Sequence, residues 1–349
     1  MTYAANELSR AAAEKAMKYA ASKGFSGCDP YDGLMSPVAR LLPSRLTRQI
    51  WVQLLKRSGE GARNVAGIPA VRMSKSLALF SMSAFALGDH GRANDLADTL
   101  LDVAGGGPWG YEFDVQTRWA HYPAGSPNVI ATAFAVRALD LLGRADEVSE
   151  EALLWLLSLR QPSGYFAYTP MSDRLIHNGN LLAVESILRL GGAQADVSVA
   201  IEVTTRAQRP DGSWPYGAGT DLAWVDNFHT AYVLDSLRYI RSRSLVDSEV
   251  IDRGTDYWLE ELFLETGEPL YYATSKSPSK DVHNVATAVS TLAALVSEGE
   301  RIGERRNALK VLLGFQGADG AFRNKANGPV FMRWNQAHAT YALTRWINQ

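Results

Sequence analysis

Five of the six histidines stand at or beside the predicted start of a helix. They are His121, His177, His229, His283 and His338. The imidazole has an ordinary pKa near neutrality, so it is a common proton donor and acceptor in enzymes. Where helices alternate in direction around a ring, every second helix begins at the same end. The spacing therefore predicts that the five imidazoles meet at one mouth, where acid–base chemistry could take place.

A long loop over residues 107–128 carries further ionisable groups. Helix-to-helix connections in compact domains usually need only about 2 to 8 residues. This loop holds Tyr111, Asp114, Arg118, His121 and Tyr122. Because binding and catalytic residues concentrate on loops, a long loop dense in such groups is a candidate functional site.

Polar and aromatic residues beside these histidines complete a bowl-shaped site. The predicted ligand contacts are Asp114, Asn180, Trp214, Tyr216, Asp226, His229, Tyr271, His283, Arg333 and Trp334. Aromatic rings stack on the apolar faces of a sugar, and amides, carboxylates and imidazoles bond its hydroxyls. The amino ends of helices also attract a carboxylate or phosphate. An anionic sugar would satisfy both kinds of contact.

Several of these residues also have a purely structural interpretation. His177 and His283 precede predicted helix caps and could bond a neighbouring loop. His338 falls one turn inside a buried helix, where a histidine is usually a core residue whose hydrogen bonds are satisfied within the protein. Trp214 falls in a repeated loop and is typical of an anchor for a helical hairpin. Both interpretations stay open for these four positions.

The elements that would position these residues come from an internal repeat. Loops rich in glycine and aromatic residues recur at residues 105–114, 161–170, 209–219, 266–275 and 317–326. A period of about fifty residues is typical of repeated hairpins. The apolar helical segments after the loops open with Asn128, Asn178, Asn227, Asn284 and Asn335. Asparagine is a favoured N-cap, so we expect five equivalent helix starts, and the apolar segment 73–87 supplies a sixth.

More polar helical segments alternate with the apolar ones, at residues 90–103, 149–159, 196–207, 247–264 and 303–315. Apolar helices inside and amphipathic helices outside are what a helical toroid requires. The pattern therefore predicts one all-α domain over residues 1–349, an (α/α)6 toroid of about six helical hairpins.

Two segments fall outside this period. The last apolar helix, 335–347, has no successor and the amphipathic N-terminal helix, 3–22, has no predecessor, so we expect the two to pair and close the ring. The irregular insertion at about residues 24–69 is expected to cover one mouth of the toroid.

Composition narrows the expected partners and location. The formal net charge is −2 with no run of Lys or Arg, which argues against nucleic acid or an anionic membrane as the main partner. The single Cys28 cannot form an intramolecular disulfide, and the N-terminus lacks the apolar core of a signal peptide. The longest apolar stretch, 76–87, is shorter than the ~20 residues of a membrane span. We expect a cytoplasmic protein with no membrane span, no cofactor and no metal site.

One repeated motif resembles a known toroid. In residues 208–214 and 316–322 a glutamine stands four residues before a glycine, which Trp214 or Phe322 follows. This Q-x-x-x-G-x-W/F pattern resembles the repeat of the squalene-cyclase and protein-prenyltransferase toroids and implies the same architecture. The Asp-rich D-x-D-D motif of the cyclases is absent from the sequence. The zinc set of the prenyltransferases cannot be assembled, because Cys28 lies outside the repeats.

A second resemblance covers most of the chain. Its elements are DPYDGL (29–34), WGYEFDVQTR (109–118), HNGNLL (177–182), QRPDGSWPYG (208–217), WVDNFHTAYVLDSL (224–237), DVHNVATAV (281–289) and MRWNQAHATYAL (332–343). They resemble helical proteins of bacterial and archaeal polysaccharide-biosynthesis clusters, which are similar in turn to the catalytic toroid of glucuronyl 5-epimerases. The resemblance implies a carbohydrate-active protein with a saccharide or glycan as its partner.

The first hypothesis is therefore an epimerase or lyase that removes the proton next to the carboxylate of a uronic acid. Such a reaction needs a base, a cation or amide for the enolate charge, and an acid. The candidate bases are His121 and Tyr122, and the candidate acids are His177 and Tyr111. The groups expected to neutralise the carboxylate are Arg118, Arg333 and Asn180.

Two other functions stay open. Glycoside hydrolysis requires two carboxyl groups roughly 5 to 10 Å apart, for which Asp114, Asp226 and Asp281 are the candidates. A non-catalytic glycan-binding protein of a polysaccharide assembly system would use the same bowl without turnover.

Overall fold

A computed structural model describes residues 2–116, 121–297 and 299–348 of the chain. Its helices are α1 (Thr2–Ser22), α2 (Arg45–Arg57), α3 (Glu60–Val65), α4 (Ser74–Ala86), α5 (His90–Ala104), α6 (Val129–Leu141), α7 (Glu150–Ser158), α8 (His177–Arg189), α9 (Gln194–Arg206), α10 (Asn227–Ser242), α11 (Ser248–Glu261), α12 (Val282–Leu295), α13 (Ile302–Leu313) and α14 (His338–Ile347). A π-helical turn, Met332–Ala337, leads into α14. Two short antiparallel pairs join β1 (Ser26–Gly27) to β2 (Val71–Arg72) and β3 (Val115–Gln116) to β4 (His121–Tyr122).

Six helices form an inner ring. Going round the ring, α4, α6, α8, α10, α12 and α14 each pack against the next, and α14 also packs against α4. Nearly every residue of these helices is buried, because each touches two neighbouring inner helices as well as the outer layer. The alternation of apolar and amphipathic segments therefore predicted the fold correctly: the chain is an (α/α)6 toroid.

The outer layer consists of α1, α5, α7, α9, α11 and α13, which are buried on one face only. Helix α1 packs against α14, and two glutamine side chains from the far end of the chain bond its backbone. Gln336 Nε2 donates to the Ala16 carbonyl at 3.0 Å, and Gln316 Nε2 donates to that of Ala12 at 2.8 Å. No described helix is both long and apolar enough to cross a membrane.

Buried side-chain amides fasten the loops and outer helices to the inner ring. We call Asn180, Asn227, Asn284 and Gln336 the tether amides. Asn227 Nδ2 donates to the Leu262 carbonyl at 2.7 Å, and its Oδ1 accepts from the indole of Trp258 at 2.9 Å. Asn284 makes a similar bond to the Leu270 carbonyl. Because a buried backbone group without a partner is costly, these bonds fix where each hairpin loop lies.

Most of the repeated asparagines are not the N-caps that their spacing predicts. Asn128 is one, since its Oδ1 accepts from Ala131 N. Helices α10 and α12 are capped instead by Asp226 and Asp281, and α8 has no side-chain cap. In α10 and α12 a carboxylate one or three residues before the asparagine takes over the cap, which leaves the asparagine amide to bond a loop or outer-helix carbonyl.

The repeated glycine of the Q-x-x-x-G motif is required by close packing between layers. Gly212 has φ +90°, and a Cβ there would lie 2.3 Å from the Arg253 carbonyl oxygen. Gly320 has φ +87°, and its Cβ would lie 2.5 Å from the Lys15 carbonyl oxygen. Only glycine has both the backbone freedom and the small size for this approach.

A buried ionic cluster occupies the ring near the carboxyl ends of the inner helices. Arg137 is ion-paired with Glu185 and, at 3.1 Å, with Asp235, which also pairs with Arg345 at 3.0 Å. Burial alone would raise the pKa of Asp235, but Arg345 and Arg137 hold it well below its ordinary value. The cluster links helices across the ring at that end.

The tether amides predict a specific loss of stability. Asn227→Ala would leave the Trp258 indole N–H buried without a partner, at about 1 to 3 kcal/mol, and would remove one of the two hydrogen bonds that the Leu262 carbonyl accepts, since Leu270 N still donates to it. We expect the free energy of unfolding to fall by about 2 to 4 kcal/mol in chemical denaturation. The matched control is Asn178→Ala, because the Asn178 side chain bonds no described residue and its Oδ1 is already unpartnered. Equal losses in the two variants would contradict the tether role.

Candidate functional site

A cavity of about 570 Å³ opens at the amino ends of the inner helices. Each inner helix contributes to its wall through its first turn or the π-helical turn before it. The contributing residues include Lys75, Ile130, Asn178, His229, His283 and Arg333. Since alternating hairpins place all inner-helix starts at one end, side chains distant in sequence meet here.

The cavity wall is mostly aromatic. Among the described residues, eight tyrosines line it: Tyr31, Tyr111, Tyr122, Tyr168, Tyr216, Tyr232, Tyr271 and Tyr272. Tyr216 stacks on Trp224 with ring centroids 4.6 Å apart, and the Tyr111 and Tyr168 hydroxyls are 3.0 Å apart. Such a wall offers flat apolar faces together with hydroxyl groups that can bond a polar ligand.

One histidine of the wall is held by a carboxylate. Asp226 Oδ2 lies 2.7 Å from His229 Nδ1, and Asp226 Oδ1 caps α10 by accepting from His229 N at 2.9 Å. The Trp224 indole also donates to Asp226 Oδ2 at 3.1 Å. An ionised carboxylate at Nδ1 favours the tautomer with the proton there, which leaves Nε2 as a proton acceptor. No described residue bonds His229 Nε2.

A second group of proton-carrying side chains joins opposite sides of the ring. Lys75 Nζ lies 3.4 Å from the Tyr232 hydroxyl, which lies 2.9 Å from His283 Nε2. Burial and then the charges of Arg333 and Arg137 lower the pKa of Lys75 well below its ordinary value. Burial likewise lowers the pKa of His283 and raises that of Tyr232. The Lys75 amine sits 4.1 Å from the Phe134 ring centroid.

The cationic side of the cavity is built around Arg333. Its Nε lies 2.8 Å from Asp29 Oδ2, and its guanidinium lies 5.0 Å from the Tyr111 ring centroid. Asp29 belongs to the irregular insertion, which therefore holds a wall residue in place. The insertion also supplies Tyr31, whose ring packs edge-on against Trp334 at 5.5 Å.

Nine of the predicted site residues line the cavity. They are Tyr111, Tyr122, Tyr216, Asp226, His229, Tyr271, His283, Arg333 and Trp334. Arg118 lies outside the described residues. The five imidazoles do not all meet there, because only those of His229 and His283 reach the cavity wall. His338 is buried beside His283, with ring centroids 4.2 Å apart.

Five other predicted residues do not line the cavity. Three of them turn toward Thr204 on α9: His177 Nδ1 lies 3.2 Å from its hydroxyl, Asn180 donates to the same hydroxyl, and the Trp214 indole donates to its carbonyl. Their structural interpretation is therefore the one that the contacts support. Asp114 accepts from Ala124 N and lies 3.6 Å from His121, and both side chains are partly exposed.

The structure adds wall residues that sequence reasoning missed. The most important are Lys75, Tyr168, Phe228 and Tyr232. Lys75 carried a signal, because it is the one charged residue in the predicted apolar helix 73–87. Tyr232 carried none: it lies in the second turn of its helix and reaches Lys75 across 157 residues of sequence. Among the described residues, no group of three or more His, Cys, Asp or Glu side chains is placed to hold a metal ion.

Comparison with known proteins yields fold relatives only. No protein-family model and no curated protein matches the chain. It is similar to a possible member of GH105 family from Salmonella enterica (12% identity, TM-score 0.58, covering 81% of this chain and 86% of that one). It is also similar to a Listeria innocua protein (13%, 0.59, 83% and 88%) and to the type II terpene cyclase MstE from Scytonema bound to geranylgeranyl dihydroxybenzoate (15%, 0.54, 79% and 88%). At these identities the likeness shows the helical toroid and nothing of the chemistry.

The burial of His177 predicts a pH dependence of stability. Burial lowers the pKa of His177 to about 4 in the folded protein, whereas in the unfolded chain the same imidazole takes up its proton near pH 6.5. This contribution, about 3 kcal/mol, is fully present above pH 6.5 and is lost as pH falls toward 4. We expect His177→Asn to unfold with a weaker dependence on pH across this window, measured by urea denaturation. His90→Asn, at an exposed histidine, should keep the wild-type dependence.

Proposed function

We propose that the cavity binds an anionic saccharide and that the protein is a carbohydrate-active enzyme, acting as a uronic-acid epimerase or lyase. The observation that carries the proposal is that one cavity, at the amino ends of six helices, combines aromatic walls with cationic side chains. The likeness to a possible GH105 family member, a carbohydrate-active class, agrees with this direction.

Recognition would use both features of the wall. Stacked rings such as Tyr216 and Trp224 suit the apolar faces of sugar rings, and the tyrosine hydroxyls suit their hydroxyl groups. Arg333 and Lys75 supply positive charge for a carboxylate, and the helix amino ends add to it. A neutral isoprenoid would use the rings but would offer no negative charge to Lys75, which has no ion pair with a described carboxylate, whereas Arg333 is already paired with Asp29.

In the proposed reaction His229 is the base. Its Nε2 takes the proton from the carbon next to the carboxylate, and the electron pair of that C–H bond moves into the carboxylate as an enolate. Asp226 stabilises the imidazolium that forms, and Arg333 and Lys75 stabilise the enolate charge. An epimerase would return a proton to the opposite face of the ring. A lyase would instead expel the oxygen on the neighbouring carbon.

The Tyr232 hydroxyl is the proposed second proton carrier. It bonds His283 and Lys75, so a proton given to the substrate can be replaced from either neighbour. This assignment replaces the sequence-based roles of His177, which bonds Thr204, and of His121, which does not line the cavity. Burial raises the pKa of Tyr122 and of Tyr111, which opposes a role as base and leaves them as hydroxyl contacts.

The hydrolase alternative has less support. Of its three candidate carboxylates, Asp226 lines the cavity and Asp114 and Asp281 do not. Both oxygens of Asp226 are engaged by His229. Both oxygens of Asp281 bond the Trp334 indole, and one also accepts the backbone N–H groups that start α12.

Deuterium exchange tests the reaction. We expect uronic-acid glycans incubated with the protein in D2O to gain deuterium at the carbon next to the carboxylate, detected by NMR, with unsaturated product in the case of a lyase. His229→Gln should slow the exchange by about 100-fold or more, the usual contribution of a general base. His90→Gln, on an outer helix, should match the wild type. Saccharide binding without exchange in the wild type would favour the glycan-binding alternative.

The lowered pKa of Lys75 predicts proton uptake on binding. A carboxylate beside the amine raises its pKa again, so at a pH between the free and bound values each bound anion should bring in a proton. We expect the calorimetric binding enthalpy to vary with the ionisation enthalpy of the buffer. Lys75→Met should abolish this dependence and weaken binding, whereas an unchanged dependence would remove Lys75 from the anion site.

A further inference from the structure

The irregular insertion carries a concentration of positive charge that the whole chain does not show. Residues 37–59 contain no Asp or Glu, and their basic residues are Arg40, Arg45, Arg48, Lys56 and Arg57. The net charge of the full chain is −2. This segment, which we call the basic segment, includes α2 and the 3-10 turn before it.

The same segment exposes a stripe of large apolar side chains. Leu41, Leu46, Ile50 and Leu54 are each 51% to 80% exposed. The last three are spaced four residues apart on α2, so they lie along one face of the helix. The opposite face is anchored, because Val52 and Leu55 are buried and the Trp51 indole donates to the Gly33 carbonyl.

From these observations we propose that the basic segment is a docking surface for an anionic lipid membrane, with α2 lying in the plane of the interface. An anchored amphipathic helix with aliphatic residues on its outer face, in a segment whose charged residues are all basic, matches a helix that rests on a bilayer. The charge complementarity favours a lipid surface over a second copy of the chain, because two basic segments facing one another would repel.

The surface adjoins the cavity. Lys56 of α2 lies 4.7 Å from the ring centroid of Tyr31 and 6.0 Å from that of Trp334, and both rings line the cavity wall. Docking would therefore bring this side of the cavity close to the lipid headgroups. The substrate class that fits is a saccharide carried on a lipid, an inference that rests on the proposed function, whereas the docking itself does not.

Sedimentation with vesicles tests the docking without any saccharide. We expect the full-length protein to bind vesicles of phosphatidylcholine and phosphatidylglycerol in equal amounts, to bind phosphatidylcholine alone at least about tenfold more weakly, and to lose binding as salt is raised. The double variant Ile50→Ser/Leu54→Ser should bind the mixed vesicles at least about tenfold more weakly. Leu141→Ser/Leu154→Ser removes two exposed leucines elsewhere and should bind like the wild type.

Three results would overturn the proposal. They are no sedimentation of the wild type with the mixed vesicles, equal binding by both double variants, and a dimer in light scattering that Ile50→Ser/Leu54→Ser abolishes while vesicle binding is absent. The third result would show that the apolar stripe mediates contact between two copies of the chain. Because no sugar is present, each result is independent of whether the cavity binds an anionic saccharide.

Discussion

The toroid depends on hydrogen bonds that run from its inner helices outward to the hairpin loops. A loop that leaves an outer helix exposes several backbone groups to an apolar surrounding, and the tether amides satisfy them. The single side chain of Gln336 accepts from Phe322 N and donates to the Ala16 carbonyl, so it joins the turn before the last inner helix to its loop and to α1. With each loop fixed to its helix, the aromatic rings of the loops, such as Tyr168, Tyr216 and Tyr271, are held at the cavity wall.

This constraint also explains which parts of the site the sequence could predict. The period of about fifty residues identifies the hairpins, and the helix order then places their starts at one end. It does not say which way a side chain points within the first turn. Side chains two positions apart on a helix point about 200° apart around its axis. Asn178 therefore lines the cavity while Asn180 faces Thr204. The sequence-based assignment made Asn178 a helix cap and Asn180 a ligand contact, whereas in the structure α8 has no side-chain cap and Asn180 bonds α9.

Contacts across the ring were beyond the reach of sequence periodicity for a different reason. Lys75 and Tyr232 begin on helices on opposite sides of the ring, and only the dimensions of the hollow decide that their side chains meet. Phe134 and Tyr232 surround the amine with aromatic rings, and no described carboxylate lies within 4 Å of it. The ionic cluster of Arg137, Glu185 and Asp235 shows the contrast, since its charges are paired. A buried cation without such a partner is costly for a folded protein, and an anionic ligand would offset that cost.

The insertion shows how an average over the chain can hide a local property. The net charge of the whole chain predicted no attraction to an anionic membrane. Within residues 37–59, however, every charged residue is basic, and α2 in this segment exposes an apolar face. Long-range attraction depends on the charges within about a Debye length of a surface, about 8 to 10 Å at moderate salt, so acidic residues farther than this from the segment contribute little there. The same insertion pairs Asp29 with Arg333, so it supplies both the basic segment and the carboxylate that positions a cation of the cavity wall.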